Sequence, residues 1–144
     1  MTNQNIIMSK TKAPTKAPRP ASARSGLIFV VDDNAMLVEF AGTVLKGEGY
    51  EVRVFTDPNA ALKAMQEAGP KPVALVTDYE MGGMNGLELI AASHKIHPSL
   101  KTVLLSGTID GAFIARHPAR VDRFLGKPYH PPQLKSTVLA LLQP

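Results

Sequence analysis

The stretch VALVTDYEMGGMNGLELI, residues 73–90, changes its period halfway along. Val73 to Val76 is continuously apolar, as in a strand buried on both faces of a parallel sheet, and the run stops at Thr77-Asp78. A loop with three glycines and two methionines follows, Met81-Gly82-Gly83-Met84-Asn85-Gly86. Leu87, Ile90, Ala91 and His94 then recur at helical spacing until Pro98 closes the segment. A strand that ends in a carboxylate and feeds a helix through a glycine loop is the repeating half of a parallel α/β sheet.

The same alternation runs outward in both directions. Upstream, Leu27 to Val31 is another apolar strand, ending at Asp32, Asp33 and Asn34. Leu37, Phe40, Ala41, Val44 and Leu45 predict one apolar stripe on a helix that Gly47 and Gly49 stop. Val52 and Val54 alternate with charged neighbours in a strand, and Asp57-Pro58 supplies an N-cap and a first-turn proline. The helix it opens carries Ala61, Ala64, Met65 and Ala68 and is expected to end at Gly69-Pro70.

Downstream, Thr102 to Leu105 is a strand ending at Ser106-Gly107. Ile109 to Val121 is the weakest helix, because Gly111 and Pro118 interrupt it. Arg123 to Gly126 is a short strand before Lys127-Pro128, and Leu134, Val138 and Leu141 mark a last helix after Pro132. Five strand–helix pairs predict an α/β fold on a five-stranded parallel sheet.

Composition bounds the function. The chain has 144 residues, enough for one domain and a tail, with 44% hydrophobic and 19% charged residues. Residues 1–25 carry five Lys or Arg and no Asp or Glu, and they read as a flexible basic tail. The whole chain is formally +4, and removing that tail's +5 leaves −1 for the domain at 26–144. A near-neutral domain gives no electrostatic case for nucleic acid, and the length leaves no DNA-binding domain to expect. No cysteine occurs, which excludes disulfides, thiolate zinc sites and thiol nucleophiles. No apolar run approaches the ~20 residues of a membrane span, so a cytoplasmic protein is expected.

Ligands of open parallel sheets bind beyond the carboxyl ends of the strands. The residues that stand there are Asp32, Asp33, Asp78, Ser106 and Lys127. Clustered carboxylates repel unless a cation sits among them. Mg²⁺ suits such a place, because it takes oxygen ligands and keeps positions for water and phosphate oxygens. A carboxylate can act as a nucleophile toward phosphorus, while a lysine and a hydroxyl stabilise phosphoryl oxygens. Each residue alone has a plainer reading: Asp33 or Asn34 as an N-cap, Ser106-Gly107 and Lys127-Pro128 as turns. The set of five in this order is what points to phosphoryl chemistry.

In VVDDN, TDYEMGGMNG, LLSGT and FLGKPY, in that order and spacing, residues 26–143 resemble the response-regulator receiver family, of which CheY is a member. The resemblance implies a doubly wound, flavodoxin-like sheet of strand order 2-1-3-4-5. It makes Asp78 the phosphoacceptor, with Mg²⁺ held by Asp33, Asp78 and the Glu80 backbone carbonyl, and by Asp32 through water. It implies that Ser106 and Lys127 contact the phosphoryl group, that Phe124 changes rotamer, and that Thr108, beside Gly107, flanks the site with Glu80 and tunes the phosphoryl lifetime. The implied partners are a histidine kinase or histidine phosphotransfer protein and a downstream protein target. The protein would then be a single-domain regulator that assists its own modification and not an enzyme with a separate substrate. Gly82 stands where the family usually has proline, and Asn85 replaces a common Asp.

Two other classes compete. A receiver-fold binding module independent of phosphorylation would be favoured by loss of the acidic pair or of Lys127, and both are present. A small-substrate phosphatase resembling the haloacid dehalogenases would carry a second Asp two residues after the nucleophile, where this chain has Glu80.

Overall fold

The computed structural model describes residues 26–143. The tail expected at residues 1–25 lies outside them. Five strands, β1 (Leu27–Val31), β2 (Glu51–Phe55), β3 (Ala74–Asp78), β4 (Lys101–Ser106) and β5 (Arg123–Gly126), form one parallel sheet in the order β2-β1-β3-β4-β5. Between and after them run α1 (Ala35–Lys46), α2 (Pro58–Gln66), α3 (Gly86–Ile96), α4 (Gly111–Ala115) and α5 (Pro131–Leu142). The strand order is the one the resemblance implied.

The alternation of each strand divides the core in two. Ile28, Val30, Val76 and Val103 pack with Val38, Ala41 and Leu45 of α1 and Leu134 and Val138 of α5. Phe29, Val31, Leu75 and Leu104 pack on the other face with Ala61 and Met65 of α2 and Leu87 and Ile90 of α3. All five residues of β3 are buried, so the central strand is apolar up to Thr77-Asp78 because both faces are covered. Truncating Leu75, fully buried there, to alanine would cost ~3 kcal/mol.

Helix starts follow the capping chemistry of the sequence. The Asn34 side chain accepts from Leu37 N at 3.0 Å and Asp57 from Asn59 N at 3.0 Å. Asn85 and Glu88 form a reciprocal capping box, each side-chain oxygen accepting the other's backbone N–H at 2.9 Å. Gly82 adopts φ 80°, a left-handed conformation closed to proline, which fits the glycine at that position.

Several boundaries differ from expectation. The buried stripe of α1 is Val38, Ala41, Gly42 and Leu45, whereas Leu37 and Phe40 are 44% and 45% exposed. Gly42 sets this rotation: a β-carbon there would stand 2.8 Å from Val54 Cγ1, so the helix turns its glycine to β2. Helix α2 ends at Gln66, before Gly69-Pro70, and Lys71 Nζ donates to the Met65 and Glu67 carbonyls beyond its end. Helix α4 keeps only Gly111–Ala115 of the expected Ile109–Val121 and buries no residue. The segment after it is tied to β4 instead: Thr102 N and Oγ1 both reach Asp122 Oδ2, and Thr102 Oγ1 donates to the Arg120 carbonyl at 2.8 Å.

Candidate functional site

The carboxyl ends of β1, β3, β4 and β5 deliver Asp32, Asp78, Ser106 and Lys127 to one edge of the sheet. Carboxylate oxygens of Asp32, Asp33 and Asp78 all lie within 4.8 Å of one another. Asp32 and Asp78 are buried and Asp33 is exposed. Lys127 Nζ stands 2.9 Å from Asp78 Oδ1 and 3.2 Å from Asp32 Oδ2, so one ammonium bridges the two buried acids. The acidic and basic residues expected at the site are therefore brought together.

Local backbone places each group. Asp32 Oδ1 accepts from Asn34 N at 2.9 Å, which fixes its carboxylate across the start of α1. Gly86 N donates to the Tyr79 carbonyl at 2.8 Å and closes the loop that follows Asp78. At Gly86 a β-carbon would run into the Asp78 carbonyl oxygen, so the start of α3 lies against the acceptor strand as only glycine permits. Lys127 follows β5 with its N–H on the Ser106 carbonyl at 2.8 Å, and its peptide bond to Pro128 is cis.

Burial pushes the Asp78 carboxyl above its ordinary value, with the Asp32 charge adding to the rise and the Lys127 contact opposing it. Burial disfavours the Lys127 ammonium, yet the hydrogen bond and charges of Asp78 and Asp32 outweigh it and hold the lysine above its usual value. Three acids facing one ammonium leave an excess of negative charge that a hard divalent cation would offset. An all-oxygen donor set with one exposed member fits Mg²⁺, and Asp32, Asp33 and Asp78 are the side chains that could hold it.

Ser106 Oγ accepts from Thr108 N at 3.0 Å and Ile109 N at 3.2 Å and lies 3.2 Å from Thr108 Oγ1. The hydroxyl thus pins the loop leading to α4, a link that the sequence motif does not reveal. Gly107 lies in that loop, close enough that an added β-carbon would be 3.3 Å from the Lys127 carbonyl. Glu80 is exposed, and Phe124 is 37% exposed on β5. Two further residues escaped the sequence reading. Tyr129 lines a cavity of about 330 Å³ with Asp32, Lys127, Leu37 and Phe40, and burial pushes its phenol up. Tyr79 meets Phe113 of α4 edge-on at 6.0 Å, joining the residue after Asp78 to α4. Tyr129 was visible inside FLGKPY, but nothing in the motif marks it as half-buried beside Asp32.

The four histidines make backbone or capping contacts, and His94 Nε2 lies 2.9 Å from the Leu100 carbonyl. His97 caps α3 and its Nε2 lies 3.0 Å from the Pro72 carbonyl, His117 Nδ1 accepts from Ala119 N, and His130 caps α5. Among the described residues no helix is long and apolar enough to cross a membrane.

Known proteins match this arrangement. The chain is 32% identical over 139 residues to the sensor kinase CckA of Brucella abortus, a match covering 95% of this chain and 14% of that protein. It is 32% identical over 117 residues to the DNA-binding response regulator MtrA of Mycobacterium tuberculosis, covering 81% of this chain and 50% of the relative. The chain thus spans half or less of these relatives. The receiver domain of NtrX from Brucella abortus superposes with a TM-score of 0.70 at 28% identity, covering 80% of this chain and 97% of that one. The chemotaxis response regulator CheY4 of Vibrio cholerae shares the fold, with a TM-score of 0.74 at 22% identity and coverage of 83% and 100%. With the response regulator receiver domain model matching residues 28–139, the chain belongs to the receiver-domain family of two-component signalling.

Proposed function

We propose that this receiver accepts a phosphoryl group on Asp78 from a phosphohistidine of a histidine kinase or histidine phosphotransfer protein, and that the modified domain acts on a downstream protein. The bridge from Lys127 to Asp78 and Asp32 carries the reading, because it presents a carboxylate beside a fixed cation at the mouth of the sheet. An Asp78 oxygen attacks phosphorus while the bond from phosphorus to the imidazole nitrogen breaks, and the imidazole leaves with that electron pair. Lys127 then neutralises phosphoryl oxygens in place of the carboxylate it now holds. Ser106 supplies a hydroxyl from the next strand end, exchanging its loop contacts for the phosphoryl group.

Mg²⁺ held by Asp33, Asp78 and the Glu80 carbonyl, and by Asp32 through water, would neutralise charge on the transferring group. Thr108 and Glu80 flank the entrance and are the positions that would set how fast water removes the group. Phe124 is the aromatic that would change rotamer as Ser106 moves. The protein assists its own modification and has no separate substrate to turn over. Trapping tests this: borohydride reduction of phosphorylated protein converts an acyl phosphate to the alcohol, and peptide mapping should place that change at Asp78. A label on histidine, serine or another acid would overturn it.

A further inference from the structure

We infer that the apolar groove between α1 and Tyr129 is a seat for this chain's own N-terminal segment, which would place Ile6-Ile7-Met8 in the groove and the lysines that follow over the acids of its rim. The groove is the cavity of about 330 Å³ that Leu37, Phe40, Pro128 and Tyr129 line together with Asp32 and Lys127. Met36, the neighbour of Leu37 on α1, is 80% exposed, and Leu37 and Phe40 are nearly half exposed. These are three of the six exposed large hydrophobics among the described residues, and all three fall within one five-residue stretch of one helix. The packing of Gly42 on Val54 is what rolls the front of α1 outward. A contiguous apolar patch beside a cavity marks a surface that another segment covers.

The chain carries a segment that matches this surface. Ile6, Ile7 and Met8 are the only consecutive large hydrophobics in residues 1–25, and Lys10, Lys12, Lys16, Arg19 and Arg24 follow them with no acid between. On α1, Met36, Glu39 and Phe40 share a face at i, i+3 and i+4, so a carboxylate stands among the bare apolar side chains. Glu39 is exposed and has no ion-pair partner among the described residues. Asp33, exposed at the entrance to α1, adds a second carboxylate to the rim in the metal-free protein. The cation that lines the groove, Lys127, is already engaged by Asp78 and Asp32. Apolar anchors followed by lysines are therefore the complement of the groove and its rim. The tether also reaches. Gly26 lies at the far end of β1 from Asp32, ~20 Å along the strand. Ile7 precedes Gly26 by 19 positions, a contour of ~60 Å when extended. A tether of this kind raises the local concentration of the segment to about the millimolar range, so a weak seat is filled. A second copy of the chain offers the same residues without that advantage.

A segment seated there lies against Lys127 and Asp32, and so beside the approach to Asp78. That it slows phosphoryl uptake from a protein donor rests on the reading of Asp78 above; the docking itself does not.

The chain has no cysteine, so Ser9→Cys gives a single attachment point for a nitroxide spin label next to the apolar trio. In NMR spectra of the isotope-labelled full chain, the amide signals of Met36, Leu37, Phe40 and Tyr129 should lose intensity to the label, while Lys63 on α2 and Lys101 on β4 keep theirs. Adding Ile6→Ser/Ile7→Ser should restore the lost signals, and because both positions lie outside the described residues the substitution leaves the fold alone. Phe40→Ala, which removes a half-exposed ring, should restore most of them. A loss spread evenly over the domain, or centred on the groove at the other end of α1 that Leu27, Tyr50 and Arg53 line, would overturn the proposal. So would a loss transmitted from spin-labelled to isotope-labelled chains in a mixture, which would make the occupant a second copy. No loss at all would overturn it too and leave the face to a partner protein. None of these readouts involves phosphorylation, so failure of uptake at Asp78 would sink the phosphoacceptor reading and leave the docking standing.

Discussion

Lys127 Nζ lies 2.9 Å from Asp78 Oδ1, and the same nitrogen lies 3.2 Å from Asp32 Oδ2. The residues come from strand ends 49 and 95 positions away in sequence, and the parallel sheet alone brings them together. In the metal-free protein this ammonium is what makes two buried carboxylates tolerable.

Lys127→Met should therefore destabilise the metal-free domain by roughly 3 kcal/mol near neutral pH, by leaving buried charge unpaired. The loss should shrink on acidification, because Asp78, already raised by burial, takes up a proton in the folded state. In the parent protein the lysine's value is raised, so its contribution is fully present below the ordinary 10.5 and is lost only as pH climbs through the higher folded value. Urea titrations of both proteins at neutral and mildly acidic pH check this. A pH-independent difference would contradict it.

Magnesium should raise Tm. At a concentration about 100-fold above Kd the linkage is worth about 2.7 kcal/mol, which is roughly 10 °C for a domain of this size. Asp33 is exposed, so Asp33→Asn should fold normally and lose most of that rise. A full shift in the variant, read by differential scanning calorimetry, would place the ion elsewhere.

Gly86→Ala should cost ~3 kcal/mol, since its β-carbon meets the Asp78 carbonyl oxygen and stands 2.8 Å from Leu104 Cδ1. Gly83→Ala, with nothing within 4 Å, should stay within ~0.5 kcal/mol. Chemical denaturation of the pair separates a close approach of backbone from ordinary loop flexibility. Equal effects would show that α3 does not press on the acceptor strand.

Tyr129 should ionise above the ordinary 10.0 because burial disfavours the phenolate. Its stabilising contribution is present below that value and fades as pH rises through the folded one. Phenolate absorbance of the protein minus that of Tyr129→Phe should show the late titration. A step at or below 10.0 would mean that the cavity beside Asp32 is open to water.

The strands and the site were legible in sequence because each strand end is marked by chemistry: Asp32-Asp33, Asp78, Ser106 and Lys127 punctuate apolar runs. The orientation of α1 was not, because hydropathy gives no weight to Gly42, which packs on Val54, and full weight to the exposed Leu37 and Phe40. The length of α4 was only half legible. Gly111 and Pro118 weakened the helix, but the network of Thr102, Arg120 and Asp122 that replaces its second half joins residues about twenty positions apart and has no local period. The Ser106 loop contacts are likewise tertiary, since a serine before glycine reads as a turn until the backbone N–H groups it caps are seen.

Phosphoryl uptake at Asp78 is the central claim, and intact-mass spectrometry after incubation with acetyl phosphate and Mg²⁺ tests it most directly. The account predicts a Mg²⁺-dependent gain of one phosphoryl group that is absent in Asp78→Asn. No gain with any divalent metal, or an equal gain in Asp78→Asn, would contradict it and favour a receiver fold that binds its partners without phosphorylation.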